Sequence, residues 1–343
     1  MAYTPIDKSD DYFNPVLWTG DGTSPRNITG VGFQPDLVWG KCRNSAVSHA
    51  IYDSVRGASN LLSSNSTSAE GINPALNAFI SDGFTVNSDS YLNLNANTYV
   101  GWNWLAGGTA STNTDGSIDS QVSVNTTAGF SIVSYTAPSG INTIGHGLGV
   151  TPNIIIVKVR DEVSSWIWGQ DKLGWSNRLL LNATNATGSE PRFFYANSQE
   201  PNATTWSADQ NAYGNANAPM IAYCFAEKKG YSKFGSYTGN GSADGTFVYT
   251  GFKPAFVLMK GTNVNGWLII DNKRTAYNSD SKFLYPQASD AEEALSGRFD
   301  FTSNGFKLRN SWTAFNSSGQ TYIYMAFAEN PFVTSGGTPT TAR

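Results

Sequence analysis

Apolar residues run almost unbroken in three short places along this chain: Leu37-Val38-Trp39, Ile154-Ile155-Ile156-Val157 and Ala255-Phe256-Val257-Leu258-Met259. Each run sits in the same frame of glycine, apolar residue, any residue, proline, five residues, lysine. The frame reads Gly32 to Lys41, Gly149 to Lys158 and Gly251 to Lys260, without a gap. Self-similarity at a long period means duplicated modules. Glycine frees the backbone, proline breaks pairing at the start of a strand, and the apolar run after it predicts a buried strand. Lys41, Lys158 and Lys260 are expected to end that strand at solvent.

The rest of the pattern repeats around this strand. An aromatic residue precedes the shared proline by seventeen positions in every copy: Trp18 to Pro35, Tyr135 to Pro152, Tyr237 to Pro254. After it comes an aromatic-rich strand ending on aspartate: His49 to Asp53, Trp166 to Asp171, Trp267 to Asp271. Such a strand suits antiparallel pairing with the one before it. Copies one and three share a hairpin signal, Asp82-Gly83 and Asn304-Gly305 between apolar runs. Each copy closes on an aromatic strand that ends at Trp104, Phe225 or Phe327. That last aromatic lies 69, 73 and 73 residues after the proline.

These signals predict an all-β chain of three tandem antiparallel β-sandwich or jelly-roll-like repeats. The expected organisation is an N-terminal arm (1–11), repeat one (12–106), a flexible linker (107–128), repeat two (129–229), repeat three (230–332) and a C-terminal tail (333–343). The Gly-, Ser- and Thr-rich linker predicts freedom between repeats one and two. Lys228-Lys229-Gly230 leaves almost no slack and predicts fixed packing between two and three. Helix signals are poor, the best being Ser289 to Leu295 with an N-cap and acids in its first turn.

Composition narrows the function. Only 14% of residues are charged, 13% are aromatic, and the net charge is −4. A chain without a basic patch is not expected to bind nucleic acid or an anionic membrane. No stretch approaches the roughly 18 apolar residues of a membrane span. The first residues lack the basic-then-apolar form of a signal peptide, so synthesis in a cytoplasm is expected. Cys42 and Cys224 fall in different repeats and form no metal spacing, which predicts two small buried hydrophobes and neither metal nor cofactor.

Hydrolysis needs a nucleophile with a base, a carboxylate pair or a metal. The two histidines, His49 and His146, lie in different repeats, and His49 occupies the slot of Trp166 and Trp267. That reads as substitution in a packing position, and no enzymatic activity is expected. The recurring Asp53, Asp171 and Asp271 are candidate binding residues. An arginine three residues after the first and third, Arg56 and Arg274, offers the plainer role of an ion pair. Aromatic rings among Asn and Ser side chains can stack on sugars. Trp175, Trp206 and Trp312 are the candidates for exposed stacking, whereas Trp39, Trp102, Trp104 and Trp267 are expected in the core.

The phrase from Thr126 to Thr136, continued by Ile144 to Lys158, resembles a repeat domain common in structural proteins of tailed bacteriophages, especially marine and cyanobacterial ones. The resemblance spans about residues 12–332 in three copies and brings no catalytic motif. It implies a virion component, made in the host cytoplasm and displayed on the particle as a tail fibre or host-recognition appendage. Other virion proteins, gripped through the N-terminal arm, and a host surface glycan are the implied partners. A homo-oligomer is expected, a trimer if the protein is a fibre. The alternatives are a capsid decoration or head-fibre protein and a glycan-cleaving tailspike.

Overall fold

A computed structural model describes residues 3–278 and 280–340 and shows an all-β chain of many antiparallel sheets. The same four-strand order is built three times, twice as a sheet of its own and once as the middle of an eight-stranded sheet. A lead strand (Phe13–Thr19, Phe130–Thr136, Ser232–Thr238) pairs with a closing strand (Thr98–Trp104, Pro219–Phe225, Thr321–Pro331). The closing strand pairs with the proline-led strand (Leu37–Cys42, Ile154–Val159, Phe252–Gly261), and that with a return strand (Ala50–Asp53, Ile167–Gln170, Trp267–Asp271). We call these units modules one, two and three.

Each main sheet is a middle layer, buried on both faces. Alternate residues of the proline-led strand point opposite ways, as the two-residue period of a strand requires. Val38, Ile155 with Val157, and Val257 with Met259 enter three separate cores, one per module. Their neighbours Leu37, Trp39, Ile154, Ile156, Phe256 and Leu258 all enter a single core shared by the three modules. Double burial explains why these strands read as continuous apolar runs. The outer core of each module is closed by a small sheet: Arg26–Thr29, Gly83–Val86 and Leu76–Ile80 in one, Ile141–Gly145 with Thr205–Asp209 in two, Phe247–Tyr249, Gly305–Leu308 and Phe299–Thr302 in three. Modules that share a core are one folding unit, not beads on a string.

Several expectations are corrected. Residues 107–128 are no flexible linker. Ser120–Asn125 pairs with the lead strand of module two from Phe130 to Tyr135, Ser111–Asn113 pairs with Ser120–Asn125, and Ser123 Oγ accepts from Gly107 N at 2.9 Å. Val122, buried, and Val124, partly buried, anchor this polar segment to the core of module two. The helix expected over Ser289 to Leu295 does not form. Glu292 N is drawn to the Arg43 carbonyl at 2.6 Å, and Glu293–Ala294 pairs with Lys282–Phe283. The hairpins at Gly83 and Gly305 are present, yet the two-residue loops are Ser81-Asp82 and Ser303-Asn304. Gly83 instead opens the next strand, where a Cβ would lie 2.0 Å from the Ile28 carbonyl oxygen.

The N-terminal arm is folded against the body. Ile6 enters the shared core, Thr4 and Ser9 are buried, and Tyr3 Oη donates to Gly251 O at 2.6 Å. In the tail, Ser335 N donates to Asp7 Oδ1 at 2.5 Å, and Val333 bridges Pro339. Residues 1 and 2 of the arm and 341–343 of the tail lie outside the described residues.

The three lysines do not end at solvent. Lys41, Lys158 and Lys260 are all buried, each ammonium turned into the loop that follows its strand. Lys41 Nζ donates to Cys42 O at 2.6 Å and Ser45 O at 3.4 Å, Lys158 to Val159 O at 2.7 Å and Glu162 O at 3.3 Å, Lys260 to Gly261 O at 2.6 Å and Asn263 O at 2.8 Å. Burial pushes all three ammonium groups down to about 8. At each hairpin end the ammonium donates to loop carbonyls that have left the ladder, which satisfies them without water.

Candidate functional site

Two of the three candidate aspartates, Asp53 and Asp271, lie where modules meet. Asp53 sits at the end of the return strand of module one, fully buried with Arg56, and is ion-paired to Arg56 Nε. Its other oxygen accepts from the backbone N–H groups of Val55 and Arg56 at 3.1 and 2.8 Å. Tyr223 of module two donates its hydroxyl to Asp53 Oδ2 at 2.7 Å. Arg56 spends its remaining donors on Asn60 O, Glu70, Ile51 O and the Tyr223 oxygen. Glu70 extends the network across the boundary to Arg160 of module two at 2.7 Å. Burial works to raise the Glu70 carboxyl, but Arg160 and Arg56 outweigh it and hold the group below the ordinary glutamate value.

Module three repeats the arrangement against module one. Asp271 pairs with Arg274 Nε at 2.6 Å, and Trp102 of module one donates its indole N–H to Asp271 Oδ2 at 3.0 Å. The Arg274 guanidinium lies 5.6 Å from the centre of the Trp102 ring. Glu292 takes the place of Glu70, bonding Arg274 at 3.1 Å and Arg43 of module one at 2.9 Å. Here too the two arginines, against burial, hold the carboxyl low.

Module two departs from this plan, and the departure moves one candidate residue. Strand register pairs Leu37 with Asp53 and Phe256 with Asp271, but Ile154 with Gln170. Gln170 therefore stands in the slot, and Asp171 lies one residue past it. Asp171 bonds Asn153 and Lys172. Gln170 Nε2 reaches the Gly235 and Tyr324 carbonyls of module three at 3.3 and 3.4 Å. Three residues on, Leu173 replaces the arginine and packs on the shared core. Opposite, Met325 replaces Tyr223 and Trp102, and Thr187 and Thr262 meet backbone to backbone at 2.8 Å where the other interfaces have Glu and Arg.

One more contact closes the ring in all three interfaces. Trp166 Nε1 of module two donates to Ser63 O of module one at 2.9 Å, and Trp267 Nε1 of module three to Leu180 O of module two at 2.8 Å. In the third place stands His49, whose Nδ1 accepts from Trp39 Nε1 at 2.9 Å. That bond leaves the proton on Nε2, which donates to Tyr285 O of module three at 3.0 Å. Burial, with the Lys41 charge nearby, pushes His49 well below the ordinary histidine range. It is a neutral cross-module donor in a tryptophan's position.

The structure does not bring the candidate tryptophans together. Trp175 and Trp206 are buried in the core of module two, so the exposed stacking expected of them is corrected. Strand alternation carries Trp206 inward between Thr205 and Ser207, opposite Ile144. Trp312 is half-buried. It packs edge-on against Phe283 and Phe315, and the Arg298 guanidinium lies 4.2 Å from its ring centre. Trp312 also lines an open cleft of about 450 Å³ on module three, bordered by Thr184 of module two, with Asn265, Tyr285, Gln287, Asp290 and Glu293. Glu293 accepts from the Tyr285 hydroxyl. One indole with amides and carboxylates around it can hold a polyhydroxylated ligand by stacking and hydrogen bonds. Among the described residues no group of three or more His, Cys, Asp or Glu side chains gathers as a metal site would require.

Residues 8–331 match a single family model, described as a domain of unknown function, DUF7483, and the chain belongs to that family. The matched span takes in all three modules, in keeping with their common core. No curated protein and no solved structure matches the chain.

Proposed function

We propose that this chain is a non-enzymatic structural protein on the surface of a tailed-phage virion, a tail fibre or host-recognition component that touches cell-surface glycan. The observation that carries the reading is the use made of the interior polar groups. Asp53 and Asp271, with Arg56, Arg274, Glu70 and Glu292, are committed to holding modules to one another. A carboxylate whose oxygens are already engaged by a guanidinium, a neighbouring module and backbone N–H groups is a structural clamp. The resemblance of the repeat phrase to phage structural domains supplies the setting, and the Trp312 cleft supplies a place for a sugar.

A capsid decoration protein is the second reading. What favours it is shape: three modules round one core form a single body, and the two terminal segments meet at Asp7 and Ser335. In either place we expect one chain to supply by itself the threefold arrangement that a fibre trimer would supply with three. Light scattering on the purified protein tests this, with a mass near 37 kDa expected; a trimeric mass overturns it.

The deciding experiment is to label the protein on intact particles and image the label. Label at the distal tail supports host recognition. Label over the head sinks the fibre reading and leaves decoration, and no label on the particle overturns both.

A further inference from the structure

The outer faces of the three small sheets differ at two positions. Pairing aligns Val248 opposite Phe306, Ile28 opposite Phe84 and Ile144 opposite Trp206. The residues flanking this inward position are Asn27 and Thr29 in module one, Thr143 and Gly145 in module two, and Phe247 and Tyr249 in module three. Phe247 is 45% exposed and Tyr249 57% exposed, with Val248 buried between them. Positions i and i+2 of a strand share a face, about 6.6–6.8 Å apart at the usual rise. That leaves room for one sugar ring on each aromatic.

A third ring joins them. Tyr3, brought from the N-terminal segment by its bond to Gly251 O, lines an open groove of about 350 Å³ with Tyr249. Burial and the neighbouring Tyr249 hydroxyl push the Tyr3 phenol up to about 12, so at neutral pH it keeps the proton that it donates to Gly251 O, and its ring stays fixed beside Tyr249. Lys229 lies 4.7 Å from the Tyr3 ring centre, and Glu227 and Lys233, ion-paired at 2.6 Å, edge the groove. Phe247 and Tyr249 leave about half of each side chain in solvent on one face of one strand, an exposed apolar patch of the kind that marks a contact site. Two aromatic side chains on one strand face, with a third beside Tyr249 in a groove edged by charged groups, suit a ligand that has apolar ring faces and hydroxyl edges.

We infer that Phe247, Tyr249 and Tyr3 form a saccharide-binding face on module three, separate from the Trp312 cleft, that takes an extended oligosaccharide of at least two rings. The inference rests on the glycan part of the proposed function. It is tested by affinity electrophoresis of the full chain in native gels cast with hydroxyethyl cellulose, xylan or galactomannan. Retardation by at least one polymer is expected, weakened about tenfold for each ring removed in Phe247→Ala and Tyr249→Ala and unchanged in Val163→Ala, which alters an exposed apolar side chain of module two away from both aromatic sites. Unshifted melting curves for the two exposed-site variants show that the fold is intact, and Tyr249→Phe, which keeps the ring, should retain binding. Retardation that survives the double variant but falls with Trp312→Ala overturns this face and spares the glycan reading. No retardation by any polymer overturns the face, while the virion reading still stands or falls on labelling. Self-association that rises with protein concentration and disappears in the double variant would assign the face to a second copy of the chain and overturn the saccharide assignment.

Discussion

Two of the three module interfaces are locked by charge and the third is not. Modules one and two meet through Asp53, Arg56, Glu70, Arg160 and Tyr223, and modules three and one through Asp271, Arg274, Glu292, Arg43 and Trp102. Modules two and three use Gln170, Leu173, Thr187, Thr262 and Met325 in the same places. The difference follows the covalent connections. Modules two and three are tied by Lys228-Lys229-Gly230, which holds their surfaces at high effective concentration. Module one is separated from two by a longer segment and is joined to three by no direct link. Closing a longer loop costs more entropy, and the directional ion pairs stand at those two boundaries.

The largest expected effect breaks a lock. Arg56→Met or Arg274→Met leaves a buried aspartate without its partner and should cost about 3–5 kcal/mol. Leu173→Met, in the equivalent slot of the neutral interface, should cost less than about 1.5 kcal/mol. Guanidinium chloride unfolding measures both. Equal losses at the two slots would mean that charge makes no distinction between the interfaces.

Acid should separate the interfaces next. Glu70 and Glu292 have folded values below the 4.5 of an ordinary glutamate, because their arginine partners outweigh burial. Their contribution is complete above 4.5 and is lost as pH falls from there through the lower folded value. Hydrogen exchange of the Glu70 and Glu292 amides, bonded to Arg160 O and Arg43 O, should speed up over that range. The Thr187 amide, bonded to Thr262 O, should follow only the global curve. Parallel acceleration at all three would count against the charged locks.

The smallest effect comes from moving a lock. Thr187→Glu with Thr262→Arg would place a partly exposed pair on the neutral interface, worth about 0.2–1 kcal/mol. A double-mutant cycle reads the coupling, and a coupling of zero would show that the neutral interface cannot accept the geometry of the other two.

Much of this fold was legible in the sequence because duplication kept spacing. Seventeen residues from Trp18, Tyr135 or Tyr237 to the proline, and the unbroken apolar run after it, mark strands buried on both sides. What the run could not say is what lay on the second face, since a strand inside a sandwich and one between two cores have the same composition. Lys41, Lys158 and Lys260 misled for a related reason. A strand-end lysine ordinarily reaches water, and only the curl of the following loop carbonyls turns it inward. The segment 107–128 misled because one apolar stripe, Val122 and Val124, suffices to pin a polar strand to an existing edge.

The sites were less legible. The missing arginine three residues after Asp171 was the available signal that the aspartate there is not equivalent to Asp53 and Asp271. Trp175 and Trp206 sit among polar neighbours, yet Trp206 lies on a strand whose polar flanks Thr205 and Ser207 are buried with it, and Trp175 lies in a turn that folds onto the core of module two, so polar neighbours in sequence did not mean exposure. Phe247 and Tyr249 are visible only by aligning the small sheets, because their neighbours in the other modules share no residue type with them.

Fusing three modules into one chain has a consequence for how such a protein can vary. In a homotrimer every substitution appears three times around the axis, so a change harmful at one boundary is harmful at all. Here Met325 could replace the aromatic donor, and Gln170 the carboxylate, at one boundary while Tyr223 with Asp53 and Trp102 with Asp271 stayed at the others. The same freedom lets one module alone carry Phe247 and Tyr249, so that a body of near-threefold form can present a single, polar direction to whatever it meets.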